Sequence, residues 1–77
     1  MTELKKLFAR VLDINEQDVT EETSRENTEK WDSFNHLLLI NELEKEFNIR
    51  FTMEEVEKIK TFKDIKKIVT NRSAKNE

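Results

Sequence analysis

One hydroxyl in this sequence has a setting that could give it chemistry. Ser33 stands in Trp31-Asp32-Ser33-Phe34, between a stretch poor in apolar residues and the most strongly periodic run of the chain. A helix N-terminus presents unpaired N–H groups and a partial positive charge, so a phosphate esterified to Ser33 would be electrostatically favoured there. The plainer reading is that Asp32 and Ser33 simply cap a helix, as such residues commonly do. Asp32, Ser33 and His36 do not read as a hydrolase triad. They are sequence neighbours, no Gly-rich turn builds an oxyanion hole, and 77 residues are too few to enclose a substrate. His36, the single histidine, cannot form a multi-histidine metal site and reads as a packed or surface residue. The absence of cysteine removes disulfides, thiolate metal sites and a cysteine nucleophile. The absence of glycine removes Gly-rich phosphate loops, which makes nucleotide hydrolysis an unsuitable reading.

The elements that must position Ser33 follow from the spacing of apolar residues. Leu4, Leu7, Phe8, Val11 and Leu12 form a one-sided stripe, which predicts an amphipathic helix starting after Thr2. From Asp13 to Lys30 the apolar residues thin to Ile14 and Val19, so this stretch reads as a long surface connection; loops of such length are often functional. Phe34, Leu37, Ile40, Leu43 and Phe47 recur every three or four residues and predict the strongest helix, with Asp32 as N-cap and Ser33 in the first turn. Around the arc centred on Ile40, Leu43 and Phe47, Phe34 falls at the edge and Leu38 projects nearly opposite, as a candidate contact for a partner. Thr52 and Glu55 form a capping box, with Phe51 placed to staple onto Val56, and predict a short helix to about Ile59. Thr61 caps a last helix, with Asp64 in its first turn and Phe62, Ile65, Ile68 and Val69 inward; Lys66, Lys67 and Arg72 lie towards its C-terminal end. Trp31 reads as a packing anchor that pins the end of the long loop. The expected fold is an all-α, small four-helix bundle, three longer helices and one short one, with a long loop between helices one and two. It forms one domain over residues 1–72, followed by a disordered tail over 73–77.

Hydrophobic residues make up 35% of the chain and charged residues 40%, but the apolar residues cluster, so a folded domain is expected and not disorder. The net charge of −3 is unevenly spread: the two ends are basic and residues 13–57 strongly acidic. That acidic middle disfavours nucleic acid and suits positively charged protein partners. A DNA-binding reading through Lys58, Lys60, Lys63, Lys66 and Lys67 fits poorly with it. The longest apolar run, Leu37 to Ile40, is far short of the roughly 20 residues that span a bilayer. The first residues lack the apolar stretch of a signal peptide, so a cytoplasmic monomer with no membrane or nucleic-acid partner is expected.

Taken together, the segments carry a resemblance. Asp32-Ser33-Phe34, followed by a helix that ends Leu43-Glu44-Lys45-Glu46-Phe47, resembles the Asp-Ser-Leu signature and second helix of acyl carrier proteins. Val11-Leu12-Asp13-Ile14 with Val19-Thr20 is similar to the end of that family's first helix and its acidic loop. Phe51 to Val56 and Thr61 to Ile65 look like its short third helix and the start of its fourth. The resemblance implies that Ser33 receives 4′-phosphopantetheine from coenzyme A through a phosphopantetheinyl transferase, which makes the chain a phosphoprotein. The arm's thiol then carries acyl or aminoacyl groups as thioesters. A chain without cysteine must borrow such a thiol, and a group carrier leaves the chemistry to its cofactor and client enzymes. It also implies that Asp32 helps to orient the serine region and that Glu42 and Glu44 attract basic surfaces of acyl-activating and acyl-transferring enzymes. Three departures stand out: Trp31 precedes Asp-Ser where a small residue is usual, Phe34 replaces leucine, and Asn35 and Leu38 occupy positions often acidic in fatty-acid-synthesis carriers. A less charged, more apolar docking face favours a dedicated partner, in a polyketide, peptide, aminoacyl or surface-polysaccharide pathway, over a general fatty acid synthase. The alternative is a non-enzymatic helical adaptor that binds its partner through Phe34 and Leu38 without modification.

Overall fold

The computed structural model describes residues 2–73 of the chain, all in helices, turns and loops. Four α-helices follow in order: α1 (Thr2–Leu12), α2 (Ser33–Phe47), α3 (Met53–Lys58) and α4 (Phe62–Ser73). A single 3₁₀ turn, Glu16–Asp18, interrupts the α1–α2 connection. Among the described residues there is no strand, only an isolated antiparallel bridge between Ser24 and Thr61. Helix α4 runs to Ser73, the first residue of the expected tail, and the rest of that tail lies outside the described residues.

Helix ends are made without glycine. Asp13 and Asn48 take the left-handed conformation that stops α1 and α2, with φ of 58° and 55°. Short polar side chains tolerate this region best after glycine. In both places the next N–H reaches back five residues to satisfy a terminal carbonyl, from Ile14 to Ala9 at 3.0 Å and from Ile49 to Glu44 at 3.2 Å. Thr52 and Glu55 form the expected capping box at the start of α3. At the start of α4, Thr61 Oγ1 accepts the Asp64 N–H, and Asp64 Oδ2 accepts the N–H groups of both Lys60 and Thr61.

The core draws Leu4, Phe8 and Leu12 from α1, Leu39 and Leu43 from α2, and Ile65 and Val69 from α4. Phe8 lies at its aromatic centre, edge-on to Trp31 at 5.0 Å and to Phe62 at 4.9 Å between ring centroids. Such pairs add to the burial of their area.

Two features differ from expectation. The α1–α2 connection is not merely a surface loop: Val19, Thr23 and Trp31 are buried, and Ile14 packs against the core. The inward arc of α2 is rotated. It is formed by His36, Leu39, Ile40 and Leu43, whereas Leu37, expected inward, is 62% exposed, and Phe34, expected at the arc's edge, is 75% exposed. At ~100° per residue these four buried positions span about 100°, and Phe34 and Leu38 lie almost diametrically opposite their centre. Periodicity alone chose the wrong face because α2 has more apolar residues than its buried arc can hold; the polar His36 lies inside the arc and Leu37 outside it.

Candidate functional site

Ser33 is the first residue of α2, and its neighbours fix it firmly although it is itself exposed. Asp32, in extended conformation, caps the helix: its Oδ1 accepts the Asn35 N–H at 2.9 Å and its backbone carbonyl accepts the His36 N–H at 2.8 Å. The Asn35 amide donates to the Lys30 carbonyl at 2.8 Å, which ties the end of the loop to the first turn of the helix. Among the described residues the Ser33 hydroxyl has no hydrogen-bond partner. It is not consumed by capping; Asp32 does that work.

Beneath this turn lies a buried polar relay. The Trp31 indole Nε1–H donates to His36 Nδ1 at 2.9 Å, and His36 Nε2 lies 2.9 Å from the Val56 carbonyl on α3. Indole can only donate, so Nδ1 must hold a lone pair, and Nε2 carries the proton given to Val56. The neutral imidazole thus bridges the loop end, α2 and α3. Burial pushes the His36 pKa below its usual value; the Val56 hydrogen bond opposes the shift, and the nearby Arg25 charge adds to it. Trp31, expected as a packing anchor, is 2% exposed, and its bond to His36 was not visible in the sequence. A helical wheel centred on His36 in place of Ile40 would have revealed the buried histidine.

On the other side of Ser33 the loop is stitched to the α3–α4 junction. The Phe62 N–H donates to the Thr23 carbonyl at 2.8 Å and the Arg25 N–H to the Lys60 carbonyl at 2.9 Å, flanking the Ser24–Thr61 bridge. An open cleft of about 760 Å³ runs between this seam and the start of α2, and Trp31, Asp32 and Ser33 form its far side. An exposed, unengaged hydroxyl at the head of a 15-residue helix, opening onto a cleft, suits a phosphate ester. No cluster suited to a metal ion occurs among the described residues.

The outer face of α2 carries the remaining candidate contacts. Phe34 and Leu38 form a stripe one turn apart beside Ser33, with Leu37 and, on α3, Met53 also exposed. Glu42 is half-buried and lies 3.9 Å from Lys45. Glu44 turns inward with one oxygen, Oε2 accepting the Phe51 N–H at 2.9 Å, and so anchors the α2–α3 turn.

The structure is thus a small four-helix domain with the exposed, unengaged hydroxyl of Ser33 at the head of α2. Residues 2–69 match the family model of the phosphopantetheine attachment site, and the chain belongs to that family, the phosphopantetheine-dependent acyl carrier proteins. The solution structure of a holo acyl carrier protein from Geobacter metallireducens is similar, with a TM-score of 0.85 and 32% identity, over 96% of this chain and 85% of that one. Curated proteins gave no match. Membership makes 4′-phosphopantetheine its covalent prosthetic group, and the protein a carrier, not a catalyst.

Proposed function

We propose that Ser33 Oγ is the atom that carries 4′-phosphopantetheine, and that the protein presents acyl or aminoacyl groups to the enzymes of a specialised biosynthetic pathway. The observation that carries this reading is the unengaged, exposed hydroxyl of Ser33 at the N-terminus of α2, within a chain matched to the attachment-site family over residues 2–69. The bound group supplies a thiol that holds its cargo as a thioester. The chain's own residues perform the positioning. Asp32 fixes the first turn, so a transferase meets Ser33 in one geometry, and the helix N-terminus favours the phosphate that is left there. The outward stripe of Phe34 and Leu38, with Glu42 and the outer side of Glu44, forms the docking face for client enzymes. Its apolar character supports a dedicated partner, since steering by charge raises encounter rates while buried apolar anchors supply affinity. The absence of any helix long and apolar enough to cross a membrane among the described residues is consistent with work in the cytoplasm.

Incubation with coenzyme A and a broad-specificity phosphopantetheinyl transferase should add the mass of one phosphopantetheine to the wild type and none to Ser33→Ala. Addition to Ser33→Ala, or no addition to the wild type with several transferases, would overturn the assignment.

A further inference from the structure

The stitched seam between the loop and the α3–α4 junction has a feature that capping and core packing leave unused. The Arg25 N–H to Lys60 carbonyl bond and the adjoining Ser24–Thr61 bridge set two cationic residues side by side, and both line the cleft onto which Ser33 opens. Most other cations near this end of the molecule are committed: Lys30 pairs with Asp13 at 3.3 Å, Lys58 with Glu54 at 3.1 Å and Lys66 with Glu21 at 2.7 Å. Among the described residues Arg25 and Lys60 have no ion-pair partner. The same lining carries the acids Glu26 and Asp32, so Arg25 and Lys60 are the positive charges in a cleft where both signs meet.

The attachment reading adds a further anion. A phosphodiester on Ser33 places a negative charge next to the Asp32 carboxylate, itself already committed to capping α2. The helix N-terminus offsets part of that repulsion. Within the cleft only Arg25 and Lys60 can offset the rest, and Arg25, half-buried and with a planar fork of donors, suits a phosphate geometrically. Trp31 also lines the cleft but is only 2% exposed, so beyond the phosphate the surface open to the arm is that of Ser24, Arg25, Lys60 and Thr61.

We infer that the cleft between Ser33 and the Ser24–Thr61 seam, with Arg25 and Lys60 in its lining, binds the phosphate and proximal segment of the prosthetic arm, so that the resting arm lies along the α1–α2 loop. This rests on attachment at Ser33. The occupant is a segment covalently tethered at the cleft's own margin, so its local concentration is high and modest contacts are enough to hold it.

The test uses wild type, Arg25→Gln and Arg25→Gln/Lys60→Gln, each loaded from coenzyme A and compared by NMR with its unloaded form, with the mass recorded for every sample. In the loaded wild type, nuclear Overhauser contacts are expected between the arm's paired methyl groups and the side chains of Ser24, Arg25 and Thr61, together with amide shifts at Arg25, Lys60 and Thr61. These contacts should weaken in Arg25→Gln and be lost in the double variant, while amides of the core keep their positions and so report an intact fold. Salt at 0.5 M should weaken them in the wild type as well. A correct mass with an arm that makes no contact to Ser24, Arg25 or Thr61, or with shifts confined to residues 33–38 and α3, would overturn the cleft assignment and leave attachment standing. A wild type that gains no mass at all would overturn the attachment reading, and this inference with it.

Discussion

Replacing His36 by phenylalanine is the sharpest probe of how the Ser33 region is held. The ring volume is kept, but the Trp31 indole N–H and the Val56 carbonyl both lose their partner. A buried polar group left unpaired costs about 1–3 kcal/mol, the carbonyl less because it is only partly buried, so His36→Phe should destabilise the fold by about 2–4 kcal/mol. A domain of this length has roughly 4–12 kcal/mol in total, so the loss is a large fraction of what exists. Urea unfolding followed by Trp31 fluorescence and by circular dichroism would read it: with a slope of about 1 kcal/mol per molar urea, the midpoint should fall by about 2–4 M. Trp31→Phe should also destabilise, by removing the indole donor along with some buried ring. Combining the two changes should cost less than their sum, by about 1–2 kcal/mol, because the second change no longer breaks a bond that the first has already removed. Strict additivity, or a His36→Phe loss below about 0.5 kcal/mol, would refute the claim that this relay joins the loop, α2 and α3.

Three other outcomes follow from the same geometry. Burial keeps the native His36 pKa below its ordinary value of about 6.5. Its stabilising contribution should therefore be complete above pH 6.5 and decline as the pH falls from there towards the native pKa, and His36→Phe should flatten that slope in urea midpoints measured across the range. The lowered carboxyls, Glu55 held down by Arg72 and Glu21 by Lys66, act only at lower pH and should not obscure the effect. Glu44→Ala leaves the half-buried Phe51 N–H without its acceptor and should cost about 1–2 kcal/mol in urea unfolding, whereas Glu44→Gln, which keeps an acceptor oxygen, should recover most of it. Phe34→Ala and Leu38→Ala touch exposed positions and should change stability by less than about 0.5 kcal/mol. Each should nonetheless slow transfer of cargo by a client enzyme, with the change in KM; an unaltered KM in both would remove this stripe from the docking face.

Much of the molecule could be read from local pattern. The stripe of α1, the Asp32 cap, the capping box at Thr52 and Glu55, and the start of α4 at Thr61 all involve residues within a few positions of each other, so their physics is contained in the sequence and appeared in the fold as expected. The Ser33 setting was legible for the same reason: a cap, a serine and a periodic run are neighbours in the chain. The face of α2 was not. Phe34, Leu37, Leu38, Leu39 and Ile40 offer more apolar side chains than one helix can bury, and only the shape left by α1, Trp31 and α3 decides that Leu39 and His36 go in while Leu37 stays out. The same holds for Arg25 and Lys60. They are 35 positions apart, and they meet because the Arg25 N–H finds the Lys60 carbonyl when the loop folds back on the α3–α4 junction. Hydrogen bonds and burial between distant segments depend on the whole chain having collapsed, so the sequence determined the helices and the hydroxyl, and the tertiary structure decided what surrounds them.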